Sequence, residues 1–467
     1  MVPRRIFSGL TRSTFDEANP APYAEGAKRG VDEAVVRHIS EEKREPKWML
    51  EHRLASLLSF QSMPLPAWGP DLSHLDLENI IYYASPGIAE TEDWGEVPEE
   101  VRRVYDRLGI PEAERKVLAG VGAQYESDVI YHKLKSQWKE QGVIFLDMDN
   151  ALQEHPDLVR EYFMKCVPST DHKFAALHGA VWSGGTFLYV PAGVKIAEPL
   201  QAYFRMNAKN MGQFEHTLIV VEEGAEVHYI EGCSAPKYGS QALHAGCVEV
   251  FVKPGAKCRY SSVENWSRDT FNLNTKRAIV QKDAVMEWIG GTMGSGLTML
   301  YPSSLLVGEG AQCDHLSIAF ANEGQWQDTG GKVKHLASHT GSNIVSKSVS
   351  VRGGMTVFRG AISIAPDLQD CTAHMACDSL LLDALSRTET IPHLTIASND
   401  VTVAHEATVG RLNTEDIFYL TSRGLSEEEA KAMIVSGFLE PIIRLLPLEY
   451  AVEMNRLIEL EMEGSVG

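Results

Sequence analysis

Gly224-Ala-Glu-Val-His-Tyr229 returns as Gly255-Ala-Lys-Cys-Arg-Tyr260, as Asp283-Ala-Val-Met-Glu-Trp288 and as Gly310-Ala-Gln-Cys-Asp-His315. The alanines stand 31, 28 and 27 residues apart. A turn residue, a small residue and then alternating polar and apolar positions, at a near-constant period, is the pattern of a β-solenoid. One coil cannot bury its apolar face alone, so successive coils stack and share an elongated core. A β-sandwich would also supply many short strands, but it has no need of this period. The repeat therefore predicts a mainly β chain built on a parallel β-helix.

Working outward, β-branched and aromatic runs punctuated by Gly and Asp extend over residues 171–408, the expected β-helix core. Residues 1–170 are richer in charge and helix formers, as in 32–53 and 98–108, and read as a mostly helical region. Pro64, Pro66 and Pro70 break one stretch of it into an irregular segment. Residues 147–163 read as a turn and a short helix, with Pro156 near a helix N-terminus. Residues 409–467 return to helix. Asn413 can cap a helix that ends at Gly424, and Ser426-Glu-Glu-Glu429 is a capping box for the next. That helix offers Ala430, Met433, Ile434 and Phe438 as an apolar stripe, with Pro441 and Pro447 as punctuation. The final helix offers Leu448, Ala451, Val452, Ile458 and Met462. Such stripes pack on their own domain, and a helical appendage after a solenoid also suits a partner.

Composition excludes several classes. The 467 residues are 44% hydrophobic and 23% charged, ordinary for a globular chain. Against 63 acidic residues stand 43 basic ones, a formal charge of −20. No basic excess exists to neutralise phosphates, so neither nucleic acid nor an anionic membrane surface is expected as the main partner. No apolar run approaches the ~20 residues that cross a bilayer. The start, MVPRRIFSGLTRSTFDEANP, has two arginines without an apolar core behind them and makes a poor signal peptide. Seven cysteines without a CxxC pair argue for reduced thiols in the cytoplasm rather than a disulfide framework.

Motifs for nucleotide hydrolysis, HExxH zinc chemistry and GxSxG acyl transfer are all absent; Gly330-Gly-Lys332 has Trp326 where a P-loop needs glycine. In the repeat register, Cys258 and Cys313 share the inward slot of Val227 and Met286 and read as small core residues. Cys166 and Cys247 have no chemical company in the sequence and read the same way, while Cys371 has no place in the pattern. Cys233 ends a strand at a Gly/Pro turn, and in-register coils would set it above Glu264, a polar neighbour that a structural thiol does not need. Cys377 shares a strand face with Met375 and Ser379, with His374 and Asp378 on the other. His405-Glu406 adds an imidazole and a carboxylate further on. Thiolate, imidazole and carboxylate together suit iron, but no single stretch has metal-site spacing, and on the residues alone a core thiol beside an ordinary His–Glu pair is the favoured reading.

The runs at 179–193, Pro199-Leu-Gln-Ala-Tyr-Phe-Arg-Met-Asn207, Met211-Gly-Gln-Phe-Glu-His-Thr-Leu218, Tyr229-Ile-Glu-Gly-Cys-Ser-Ala-Pro236, Cys377-Asp-Ser-Leu380, His405-Glu-Ala-Thr408 and Gly464-Ser-Val-Gly467 resemble the SufB/SufD family of SUF iron–sulfur cluster assembly, and within it the SufB branch. The likeness extends to the runs at 114–127 and 142–149, nearly the whole chain. It implies a right-handed β-helix between helical N- and C-terminal regions. It also implies a scaffold rather than a turnover enzyme: SufC ATPase on the C-terminal helices carries the ATP, SufD (or a second copy) docks at the β-helix edge, and a cysteine desulfurase or transfer partner donates sulfur. Carried over residue by residue, Cys233 becomes the persulfide sulfur acceptor. Arg205, Asn207, Glu264, Trp266 and Lys276 line the sulfur passage. Cys377, with Glu406 and His405, becomes the metal ligand set for a nascent cluster, [4Fe–4S] by family expectation, built from ferrous iron with reduced FAD as a further expected cofactor.

Three departures stand out. No cysteine precedes Cys166, so the N-terminal CxxCxxxC of some relatives is missing. Ala404 replaces the first Glu of an EHEAT, and Glu264 stands where relatives often carry Gln, placing a charge on the route. Sulfur transfer to Cys233 favours a low thiol pKa, for which Lys276 or Arg205 would supply positive charge. Two other readings compete: an architectural SufD-like subunit, which would lack the Cys233–Cys377 pair, and a carbohydrate-active β-helix, which would need paired carboxylates in a groove.

Overall fold

A computed structural model of the chain describes residues 18–107, 118–446 and 448–462. The N-terminal start to residue 17, positions 114–117 of the run quoted above, Pro447 and the closing 464–467 lie outside them. Strands account for 40% and helices for 25%, and the strands wind into a β-solenoid of about 8 turns.

The repeat sits at one corner of the coil. Gly224, Gly255, Asp283 and Gly310 all hold φ between +53° and +76°. Glycine takes that left-handed backbone freely and Asp tolerates it. Ala225, Ala256, Ala284 and Ala311 follow at the buried corner. Two further coils turn the same way with His339-Thr340 and Asp370-Cys371, again at positive φ. Cys371 thus occupies the alanine slot, its Sγ 3.3 Å from Oγ1 of Thr340 one coil before.

Each coil gives strands to two sheets. The first sheet runs in register from Gly120–Tyr125 through Leu200–Arg205, Glu226–Ser234, Lys257–Trp266, Val285–Gly294, Gln312–Ala321, Gly341–Ser350 and Gln369–Leu381 to Asp400–Arg411, every neighbour parallel. At its N-terminal edge Asp128–Leu134 adds an antiparallel strand. The second sheet is covered likewise by antiparallel Ile144–Asp147. These three strands fall within the stretch read as mostly helical, and helix Lys173–Val181 lies just past residue 171. The other end stops at Arg387–Ile396 and Asp400–Arg411, with no further strand beside them among the described residues.

Inside, Val227, Tyr229, Cys258, Tyr260, Met286, Trp288 and Cys313 form one apolar lumen, with Cys258 and Cys313 in the inward slot as expected. Tyr229, Tyr260 and Trp288 stack along it at centroid distances of 5.3 and 5.1 Å, each contact contributing ~1 kcal/mol beyond burial.

Outside, helices Thr414–Ser422, Glu427–Ile443 and Leu448–Met462 follow the solenoid. Asn413 caps the first, Gly424 lies at φ +96°, and Ser426 and Glu429 close the capping box. The apolar stripe is rotated from the expected one. Val435, Leu439, Ile442, Met454, Leu457 and Ile458 pack on Ile230, Val263, Ile289, Ile318 and Val349 of the first sheet's outer face. The sheet meets the row 435–439–442, so Met433 is left 53% exposed. The helix also continues through Pro441 instead of stopping there.

Candidate functional site

Cys233 lies directly beside Glu264 on the next coil, as the repeat register requires. It is 1% exposed and faces the lumen with Tyr229 and Glu231. Around it sits a buried ionic network. Lys276 Nζ donates to Glu231 Oε1 at 3.1 Å and to Glu264 Oε1 at 2.9 Å. Asn272 Nδ2 donates to Glu264 at 2.6 Å, Tyr260 donates to Glu231, and His244 pairs with Glu215 at 2.5 Å. Burial pushes Glu264 up, but Lys276 and His244 outweigh it and hold the carboxylate below its ordinary value. The charge that departs from the family pattern is therefore neutralised within the network.

The expected activation of Cys233 is not what this environment produces. Burial, then the carboxylates Glu231, Glu215 and Glu264, raise the thiol well above its ordinary value, and Lys276 only partly opposes them. Lys276 spends its hydrogen bonds on glutamates, and Arg205 Nη1 donates to Ser234 Oγ at 3.0 Å. Resting Cys233 is a protonated thiol. Of the other residues expected to line a passage, Trp266 is fully buried against the His244 ring at 4.4 Å. Asn207 Nδ2 donates to the Asn19 carbonyl at 3.0 Å, tying the N-terminal region to the coil end.

From Glu231, the strand register draws a column through Ser262, Gly290, Ser317 and Ser346 to Cys377. A second column, two residues along on the same face, runs from Cys233 through Glu264, Thr292, Ala319 and Ser348 to Ser379. Every side chain between the two cysteines on these columns, Glu264 aside, is small, and most carry a hydroxyl. Cys233 and Cys377 are five coil steps apart, about 24 Å at the usual strand spacing. Sequence reasoning singled out the two cysteines and not the small residues between them, because no single serine is notable until the register aligns them.

At the far end Cys377 is 1% exposed, with Sγ 3.5 Å from Thr390 Oγ1. Burial raises its thiol, against Thr390 and Ser379. The three expected ligands do not share a face. Met375 pairs with His405 and Cys377 with Ala407, so alternation sets His405 on the inner face with Cys377. Glu406 points outward, 3.3 Å from His374. Both His405 and Glu406 are exposed at the open end.

Two features lay outside the sequence reading. Cys247, read as a lone core thiol, has company after all: its ligand atom and those of His178 and His216 lie within 4.8 Å of one another. His216 precedes Cys247 by one 31-residue coil period and is its register partner, a signal present in the repeat. There is also a cavity of about 650 Å³ between the 63–68 segment and the solenoid, with Trp68, Tyr301, Lys332, Arg277 and Lys276 in its wall.

Residues 204–438 match the SUF system FeS cluster assembly SufBD core domain, and residues 122–202 match the SufBD protein N-terminal region. The chain belongs to the SufB/SufD family. The iron–sulfur cluster assembly protein SufB of Bacillus subtilis (strain 168) is 52% identical over 441 residues, which cover 94% of this chain and 95% of that protein. An iron–sulfur cluster assembly SufBD family protein of Staphylococcus aureus (strain MRSA252) shows the same identity and coverage. The chain is thus a SufB/SufD-family protein of iron–sulfur cluster assembly. Among the described residues no helix is long and apolar enough to cross a membrane.

Proposed function

We propose that this chain is the SufB-type scaffold that takes sulfur onto Cys233, passes it along the lumen and builds a nascent cluster at Cys377. The small-residue track between the two cysteines carries this reading, because an architectural subunit has no use for a polar seam through an apolar core. In the entry step the Cys233 thiolate attacks the outer sulfur of a donor persulfide. A Cys233–S bond forms, the donor's S–S bond breaks, and the donor leaves as thiolate. The thiol is protonated at rest, and Glu231, on the same strand face and itself raised by burial, takes the proton. Each sulfane sulfur needs two electrons to become sulfide, and reduced flavin is the donor we assign.

At the open end Cys377 and His405 offer a thiolate and an imidazole to ferrous iron, and a partner completes the set. The bare edge strands Arg387–Ile396 and Asp400–Arg411, with Ile391, Leu394 and Val409 exposed, support docking of SufD or a second copy there. Exposed Phe418, Tyr419 and Met433 on the C-terminal helices support SufC binding. A mixed, incomplete ligand set leaves the cluster labile enough to hand on.

The two cysteines separate the steps. With desulfurase, cysteine, iron and reductant, Cys233→Ser should load no sulfane sulfur, while Cys377→Ser should load it and build no cluster. Normal cluster absorption in either variant would refute that residue's role.

A further inference from the structure

We infer that the chain holds a divalent transition-metal ion, Zn2+ by its donor set, where His178, His216 and Cys247 meet beneath helix Lys173–Val181. None of the three belongs to the Cys233–Cys377 track. All are at most 1% exposed, and their ligand atoms lie within 4.8 Å of one another. His216 and Cys247 open the register-paired strands His216–Val221 and Cys247–Val252, and His178 descends from the covering helix.

The hydrogen-bond geometry points to a cation. The Ala245 carbonyl lies 3.0 Å from His178 Nδ1 and can only accept, so a neutral His178 carries its proton there. Its Nε2 is then a bare lone pair, aimed at Nδ1 of His216 at 2.9 Å. On its other side His216 Nε2 stands 3.2 Å from Oε2 of Glu249, without an aligned hydrogen bond. Backbone N–H groups of Met164, Cys166 and Val167 donate to Glu249 at 2.6–2.7 Å, against a burial that lifts its carboxyl to about 7. A neutral His216 has one proton for two nitrogens. Either Nδ1 confronts the lone pair of His178, or Nε2 confronts a carboxyl oxygen that must itself take up a proton to answer it.

A metal ion between the two rings removes the conflict. Both inward nitrogens become ligands, and His216 keeps its proton on Nε2 toward Glu249, the carboxylate–histidine–metal arrangement that orients ligating imidazoles. Cys247 binds as thiolate, releasing its proton to solvent on metallation. One dication, one thiolate and the Glu249 carboxylate sum to zero, so no net charge is buried. Two imidazoles and a thiolate suit zinc, with a fourth position left over. Zn–N bonds of 2.0–2.1 Å at a tetrahedral angle set the nitrogens ~3.3 Å apart, so the rings part by about 0.4 Å. The ion would clip the covering helix to two successive coils, and at this depth it loads as the chain folds.

The test is Co2+ titration of the apo full-length chain during anaerobic refolding, with metal content of the chain as isolated from zinc-supplemented cells. The expected result is about one zinc per chain, and a near-ultraviolet sulfur-to-cobalt charge-transfer band that saturates at the same stoichiometry. Cys247→Val, which keeps the position apolar, should abolish the band and weaken cobalt binding at least tenfold. His178→Asn should weaken it comparably, and serves alone if Cys247→Val does not fold. Glu249→Gln should cost roughly 10–100-fold in affinity. The titration is read in a Cys377→Ser chain, so that the open-end thiol takes no cobalt, and there Cys258→Ala should leave both stoichiometry and band unchanged. A Cys377→Ser chain that binds no cobalt, a band that survives Cys247→Val, or a band lost with Cys258→Ala would overturn the site.

Discussion

The two ends of the lumen hold their chemistry in opposite ways. Around Cys233 the coils enclose three glutamates, a lysine and a histidine, nearly all of them bonded to one another and shut off from water. Around Cys377 the solenoid stops: His405 and Glu406 are exposed, and two edge strands stand uncovered. A closed, ion-rich chamber can shield a sulfane sulfur from reductants, but it cannot admit iron or release a cluster. An open edge can do both, but only with a partner to complete it. On the proposed function, capture and assembly are separated because they need opposite exposures, with the stacked serines as the connection.

The sharpest way to break this comparison is to remove one cation from each end. Lys276→Met strands Glu231 and Glu264 in the interior and should destabilise the chain by about 3–5 kcal/mol in urea unfolding. Lys347→Met, which removes the partly exposed 3.0 Å pair with Asp378 on the outer face near Cys377, should cost less than about 1 kcal/mol. Equal costs would mean that the two ends are not differently enclosed.

A pH series sharpens the same contrast. Burial lifts Glu126, which accepts from Tyr23 at 2.8 Å at the closed end, from 4.5 to about 7. A group raised on folding contributes its stability in full below the unfolded pKa and loses it as pH rises through the folded one. This contribution should therefore fade between pH 4.5 and 7. Glu126→Gln should flatten that interval and raise stability above pH 7 by up to about 3 kcal/mol.

The smallest effect concerns the ligand set. On the observed faces His405→Ala should weaken ferrous iron retention about tenfold, and Glu406→Gln should weaken it less, as read by iron dissociation under anaerobic dialysis. The reverse order would show that the edge strand turns over when a partner docks.

Much of this was legible in the sequence. The glycine–alanine corner gave the period, the period gave the register, and the register placed Cys233 beside Glu264 before any coordinates. Where His339 and Asp370 replaced glycine the repeat faded from view, and with it the place of Cys371, because positive φ is a backbone property that several residue types tolerate. The expected ligand set at Cys377 divides between faces because adjacency in sequence places His405 and Glu406 on opposite faces of a strand. The thiol environment of Cys233 was hidden as well, since Glu231 and Glu215 look like ordinary acids until the coils bury them. The His178–His216–Cys247 cluster spans a helix and two coils, and only its 31-residue step was open to reading.

The connection itself is tested most directly by plugging it. Ser317→Leu fills the middle of the column, two coils short of Cys377 and three past Cys233, at a packing cost of about 1–3 kcal/mol. The wild-type chain, charged on Cys233 with radiolabelled sulfane sulfur and then given iron and reductant, should move the label into acid-labile sulfide held at Cys377. The plugged chain should fold, accept the same charge of label and keep it on Cys233. Transfer at the wild-type rate through the plugged lumen would contradict the account.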